Sequence, residues 1–211
     1  MRWRWLEFAA LFVGVPSAIY LHWLPNWPIP ALLSIGLTGW LLLRRDPAFD
    51  RTQLWNASSL RAALLPVAAR ALLLALLMGV GVYLFRPGLL FSFVKRTPWF
   101  WALVMIFYPV LSVYPQEFLY RALLFHRYRD LFPSEAGIIL ASAAAFGFVH
   151  IIFGAWISVA LSFVGGLLFA LTYARTKSLL LVCIEHAILG NAIFTVGLGQ
   201  YFYHGSARFH M

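Results

Sequence analysis

The stretch WFWALVMIFYPVLSVYPQEFLYR, residues 99–121, decides the fold. Residues 99–115 carry no charged side chain, and an apolar run that approaches 20 residues is a candidate membrane-spanning helix. The whole chain of 211 residues is 63% hydrophobic and 11% charged, whereas soluble domains carry about 25% charged residues. We therefore predict a polytopic membrane protein. Its spans must be helices, because an unpaired backbone group in lipid costs several kcal/mol.

The fold class that follows is all-α, a transmembrane helical bundle of about seven spans. Two features widen the count to six to eight: the second span is short, and residues 117–130 either extend the fourth span or form a separate re-entrant or surface helix. We expect one membrane domain, in which residues 1–98 carry no recognised motif, 99–201 carry the polar motifs and 202–211 form a short tail. The predicted spans are roughly 5–24, 28–43, 65–86, 99–117, 135–153, 155–174 and 178–201.

The net charge of +9 does not indicate a nucleic-acid partner, because the basic residues lie at helix ends rather than on one face. With the N-terminus in the cytoplasm, ten basic residues fall on the cytoplasmic side and four on the other. The positive-inside rule favours this orientation. We expect an integral protein of a bacterial inner (plasma) membrane, with the lipid bilayer as a partner and an oligomeric state that the sequence leaves open.

Glu117 ends the apolar run, where a charged side chain costs about 2.5–3.5 kcal/mol at the middle of a membrane. Arg121 is four residues further on, so both side chains share one helix face and can form an ion pair. Taken alone, the pair is explained by a structural role at a helix end.

Further polar residues interrupt two later apolar segments. AAAFGFVHIIF contains His150, and LLLVCIEHAILGNAIF contains Glu185, His186 and Asn191. Each would need its own partner in lipid, and one shared wet pocket would satisfy them together. For Glu185 the sequence allows orientation of His186 from a neighbouring helix or pairing with a basic residue such as Arg70.

Two kinds of hydrolytic site fit these side chains. A carboxylate and an imidazole can remove a proton from water and direct it at a carbonyl, while a second imidazole and an amide donate hydrogen bonds to the oxyanion. Alternatively His150, His186 and Glu117 form the two-histidine, one-carboxylate set of hydrolytic zinc sites. No H-E-x-x-H pattern supports zinc. We therefore predict no certain cofactor, with a divalent metal as the open alternative.

The ordered segments QEFLYR, FGFVH and EHAILGN, within residues 99–200, resemble the CAAX-protease and bacteriocin-processing (CPBP, or Abi) family of intramembrane endopeptidases. The family motifs are E-E-x-x-x-R, F-x-x-x-H and H-x-x-x-N/D. The resemblance implies a helical membrane fold with a sunken site, in which Arg121 holds the first motif. It also implies that a glutamate and His150 activate water, and that His186 with a polar neighbour stabilises the oxyanion.

This sequence departs from the family pattern at two positions. Gln116 stands where the family has its first glutamate, and an amide cannot usefully accept a proton at neutral pH. Glu117 is then the base, or Gln116 only orients water, or the protein is inactive. The residue four after His186 is Gly190, where we expect a neighbouring backbone to come close, and Asn191 comes one position later.

We predict an intramembrane endopeptidase that acts on a membrane-protein or lipidated-peptide substrate. The predicted roles are Glu117 with His150 as the base, His186 as the oxyanion donor and Arg121 as the partner of Glu117, with Gln116 and Asn191 as further candidates. Two alternatives stay open: an inactive family member that serves as a scaffold or binds peptides, and a transporter or proton relay that uses the same buried groups.

Overall fold

The computed structural model describes residues 2–202, and these form helices and turns without a β-strand. The predicted all-α class is therefore confirmed for the described part of the chain. The tail predicted at 202–211 lies, apart from Phe202, outside it. The helices are α1 (2–20), α2 (Pro28–Arg45), α3 (Ala57–Phe85), α4 (Ser92–Arg96), α5 (Pro98–Arg127), α6 (Glu135–Val149), α7 (Trp156–Thr176) and α8 (Leu179–Val196).

Five helical segments within residues 2–202 are long and apolar enough to cross a membrane. The predicted spans at 5–24 and 28–43 correspond to α1 and α2, which are helical but fall outside this set. Seven spans and a cytoplasmic N-terminus therefore stay predictions. The five segments are Arg51–Phe85, Pro98–Arg127, Glu135–Phe153, Trp156–Thr176 and Leu179–Val196.

Helix α5 continues through the first motif to Arg127, so the stretch after residue 117 extends the fourth predicted span. The helix is not regular: π-helical turns occupy Pro109–Val113 and Phe118–Leu123. Pro109 and Pro115 lack the N–H that a helical hydrogen bond needs, which accounts for an irregular ladder here. Wider π turns are frequent at functional sites because they re-aim side chains.

Glycines allow α6 and α7 to pack closely. A Cβ atom at Gly166 would lie 3.2 Å from the Cα of Ala143, and one at Gly147 would lie 3.0 Å from the Cα of Phe163. The same packing places the Gly166 carbonyl where it accepts a hydrogen bond from Arg121. Small residues that let backbones approach are the usual means of association between membrane helices.

Helix α6 ends one residue before the second-motif histidine. His150 opens a 3-10 turn, His150–Phe153, which ends at Gly154 with φ +68°. A positive φ strains most side chains but not glycine, so the chain can leave the helix here and turn into α7. His150 is thereby held at a helix end rather than in the middle of a regular helix.

Replacing Gly147 by valine should force α6 and α7 apart and lower the free energy of unfolding by about 1–3 kcal/mol, the usual cost of overpacking. Unfolding in detergent micelles measures it. Gly81→Val is the matched control, because no atom lies within 4 Å of a Cβ at that position. Equal stability of the two variants would contradict close packing of α6 on α7.

Candidate active site

A buried ion pair lies at the base of the site. Glu117 and Arg121 are both fully buried, and the Glu117 Oε2 atom lies 3.0 Å from Arg121 Nε. The contact is an ion pair without hydrogen-bond alignment. Arg121 also donates from Nη2 to the Gly166 carbonyl at 2.9 Å, and its guanidinium lies 4.8 Å from the centre of the Phe146 ring. The pairing expected from the i, i+4 spacing is therefore present in the structure.

His186 joins this pair to the cavity. Its Nδ1 lies 2.7 Å from Glu117 Oε1, and its Nε2 lies 2.9 Å from the Tyr108 hydroxyl. An ionised carboxylate can only accept hydrogen bonds, so Nδ1 donates to Glu117, and in the neutral ring Nε2 accepts from Tyr108. The ring stacks on Phe169, with centroids 4.6 Å apart. The result is a continuous polar chain from Arg121 to Tyr108.

His150 has a different set of contacts. Its Nδ1 donates to the Phe146 carbonyl at 2.7 Å, which leaves Nε2 as the acceptor in the neutral ring. Among residues 2–202, the bond from Nδ1 is the one hydrogen bond of the His150 ring. The Phe146 ring packs edge-on against both His150 and His186, at centroid distances of 5.0 and 5.5 Å.

A large cavity connects these side chains. Its volume is about 1740 Å³, its lining is mostly apolar, and all eight helices contribute to the wall. Its polar lining includes Tyr108, Gln116, His150 and His186, together with Arg96, Tyr120 and Gln200. Glu117 and Arg121 are absent from the lining, but each contacts residues that line it: Glu117 contacts His186, and Arg121 lies against the rings of Phe146 and Phe169.

Gln116 and Glu117 point in different directions, as the helical rotation of about 100° per residue predicts. Gln116 lines the cavity, and its Nε2 donates to Ser112 Oγ at 2.6 Å. Its buried Oε1 has no hydrogen-bond partner among the described residues. An unpaired buried oxygen costs about 1–3 kcal/mol, so a donor supplied by water or substrate would stabilise this amide.

Asn191 and Glu185 lie away from the cavity lining. Asn191 donates weakly to the Met105 carbonyl at 3.4 Å. Glu185 is fully buried and accepts from Arg70 and from Thr172, the latter at 2.7 Å. The pairing of Glu185 with Arg70, one of the alternatives open from the sequence, is the arrangement found.

Tyr108 is the site residue that the sequence analysis did not identify. A Cβ at Gly190 would lie 2.4 Å from the Tyr108 ring, so the glycine admits an aromatic side chain and not the neighbouring backbone that we had expected. The sequence feature that could have pointed to Tyr108 is the glycine at position 190, one turn after His186, because a missing side chain leaves space for another. A glycine alone does not indicate which residue fills that space.

The side chains proposed as zinc ligands do not fit a metal site. Both nitrogens of His186 and both oxygens of Glu117 are already engaged by protein groups, and His150 makes no contact with Glu117 in the described structure. No group of three His, Cys, Asp or Glu side chains within residues 2–202 could hold a metal ion. We derive no catalytic step through a metal.

Residues 96–192 match the family model described as Rce1-like, Type II CAAX prenyl endopeptidase Rce1-like. The matched range contains all three motifs and confirms the family resemblance over this part of the chain. No curated protein and no solved structure matches the chain. The match supports a membrane protease as the kind of function, and together with the apolar helices it supports an integral membrane location.

Replacing Arg121 by methionine should leave Glu117 as a buried charge with one partner fewer, at a cost of about 3–5 kcal/mol in the free energy of unfolding. Chemical unfolding in micelles measures the loss. The double variant Glu117→Gln/Arg121→Met removes both charges and should recover part of it. A single variant as stable as the wild type would contradict the buried ion pair.

Proposed function

Starting from the Rce1-like match over residues 96–192, we propose that the protein is an intramembrane endopeptidase that hydrolyses a peptide bond of a substrate drawn into the apolar cavity. The observation that carries the proposal is the fixed state of His150. Its Nδ1–H is held by the Phe146 carbonyl. Its Nε2 has no hydrogen-bond partner among residues 2–202 and belongs to a side chain on the cavity wall.

The first step is activation of water. A water molecule within reach of His150 Nε2 can give up a proton as its oxygen bonds to the substrate carbonyl carbon. The electrons of the carbonyl π bond then move to oxygen and create an oxyanion. When the C=O bond re-forms, the C–N bond breaks and the proton on His150 passes to the leaving nitrogen. The products are a carboxyl group and an amine.

Gln116 is proposed to orient this water. Its Oε1 is an acceptor without a partner in the described residues, and a water that donates one hydrogen to it can present the other hydrogen to His150. The amide is not required to accept a proton in this scheme. This follows one of the alternatives that the sequence left open for the position.

Glu117 takes a positioning role in this proposal. We expected Glu117 to act with His150 as the base, but Glu117 contacts His186 and lies behind the cavity wall. Its carboxylate fixes the orientation and tautomer of His186. Arg121 places an opposite charge 3.0 Å from that carboxylate. His186 and its hydrogen-bonded neighbour face the developing oxyanion.

The proposed substrate is a membrane-embedded or lipidated peptide segment. A cavity of about 1740 Å³ with apolar walls favours an extended apolar chain over a water-soluble peptide. The matching family is described as a CAAX prenyl endopeptidase family, which makes a prenylated C-terminal peptide a reasonable assay substrate. The proposal does not extend to a particular target protein.

A second candidate function is a membrane scaffold that binds peptides without cleaving them. The observation in its favour is that the one acidic side chain of the first motif faces away from the cavity while Gln116 lines it.

The transporter alternative predicts ion-dependent flux in liposomes, whereas the endopeptidase proposal predicts cleavage without flux.

The endopeptidase proposal predicts new termini of membrane proteins in cells that carry the wild type, absent or reduced by about 10²–10⁴-fold with His150→Ala. Quantitative proteomics of termini at matched expression measures this. His126→Ala is the matched histidine control, since His126 pairs with Asp46 and does not line the cavity. Identical termini with the wild type and His150→Ala would favour the scaffold.

Cleavage should also continue in the presence of a zinc chelator such as 1,10-phenanthroline, because the nitrogens of His186 are occupied by protein partners. Proteoliposomes with a prenylated peptide provide the assay. Loss of cleavage that added zinc restores would overturn the metal-independent scheme. An unrelated zinc protease assayed in parallel shows that the chelator is effective.

A further inference from the structure

We propose that the Tyr108 hydroxyl is the group that donates a hydrogen bond to the substrate oxyanion, as the last member of a Glu117–His186–Tyr108 relay. The inference rests on the proposed endopeptidase function. It adds a catalytic residue from outside the three sequence motifs, and it changes the role of His186 from direct oxyanion donor to the group that orients the true donor.

The first support is position. Tyr108 lines the same cavity as Gln116 and His150, and its hydroxyl lies 2.9 Å from His186 Nε2. A direct donor bond from His186 to substrate would have to use Nε2, because Nδ1 is engaged by Glu117 at 2.7 Å. Tyr108 already occupies the Nε2 position, so the hydroxyl rather than the imidazole is presented to a substrate.

The second support is the fit of the tyrosine ring. A Cβ at Gly190 would come within 2.4 Å of Tyr108 Cε1 and of its hydroxyl oxygen, so the ring can lie here only because residue 190 has no side chain. Phe194 packs edge-on against the ring at 5.2 Å. The hydroxyl is therefore held by packing on α8 as well as by its hydrogen bond.

The third support is the hydrogen-bond direction. With a neutral His186, the Tyr108 O–H points at Nε2 and is not available to a ligand. With a protonated His186, Nε2–H donates to the tyrosine oxygen, and the O–H is released towards the cavity. In that state Arg121 and His186 carry positive charges and Glu117 a negative one, so the relay has a net positive charge that favours an adjacent oxyanion.

No covalent bond to Tyr108 is made or broken in this scheme. The hydroxyl stabilises the oxyanion by a hydrogen bond while the proton taken from water resides on His150. As the oxyanion returns its electron pair to the C=O bond, the hydrogen bond from Tyr108 is released. The proton on His186 is present before the substrate binds and stays on His186 throughout.

The test is Tyr108→Phe, which removes only the hydroxyl. Loss of one oxyanion donor lowers kcat by about 10²–10³-fold, and KM should change little because the ring still fills the space above Gly190. The assay follows cleavage in proteoliposomes of a prenylated peptide, or of a substrate identified by its His150-dependent terminus. Tyr114→Phe is the matched control, since Tyr114 lies on the same helix and does not line the cavity.

A second variant displaces the Tyr108 hydroxyl without removing it. Gly190→Ala should displace the Tyr108 ring and lower kcat as Tyr108→Phe does, whereas Gly81→Ala, at a position with open space, should not. Unfolding curves for all four variants identify any loss that comes from misfolding. A Gly190→Ala variant that folds and cleaves at the wild-type rate contradicts the relay.

Failure of the relay and failure of the proposed endopeptidase function give different results. If the wild type cleaves, His150→Ala does not and Tyr108→Phe cleaves at the wild-type rate, the relay is overturned and the endopeptidase proposal stands. If the wild type does not cleave or His150→Ala cleaves equally well, the proposed function fails and the relay fails with it.

Discussion

The burial of one carboxylate constrains the rest of this structure. Glu117 has no exposure to solvent, and an isolated charge in an apolar helix bundle is too costly to persist without partners. Arg121 supplies the opposite charge from the same helix, and His186 supplies a donor from α8. Each partner brings a requirement of its own, because Arg121 needs the Gly166 carbonyl and His186 needs an acceptor or donor at Nε2.

These requirements connect helices that are distant in sequence. The approach of α7 to α6 depends on glycines, and the same approach delivers the Gly166 carbonyl to Arg121. The aromatic rings of Phe146 and Phe169 cover the guanidinium and the imidazole. A cation beside an aromatic face is stabilised by the ring quadrupole, with a larger effect where water is excluded. The polar cluster is thus enclosed by protein and not by lipid.

The supporting side chains and the side chains proposed to react lie in different parts of the site. Glu117 and Arg121 lie behind the wall, while Gln116, His150, His186 and Tyr108 line the cavity. The sequence indicated the all-α class, the three polar motifs and the Glu117–Arg121 pair, because helical spacing is a local property. It could not show that Glu117 contacts His186, 69 residues away, or that Tyr108 fills the space at Gly190, because these contacts depend on how whole helices pack. The third span was predicted to start at residue 65, whereas α3 begins at Ala57, where Asn56 caps the helix.

The proposed chemistry requires that His150 carries its proton on Nδ1 and that Nε2, which has no hydrogen-bond partner among residues 2–202, can accept a proton from water. The most direct measurement is ¹⁵N NMR of the histidine side chains in lipid nanodiscs at neutral pH, with the His150 signals assigned from a His150→Gln sample. We expect a neutral His150 ring with a protonated Nδ1 and an unprotonated Nε2. A ring that carries its proton on Nε2 would contradict it, because His150 could not then remove a proton from water in the proposed geometry.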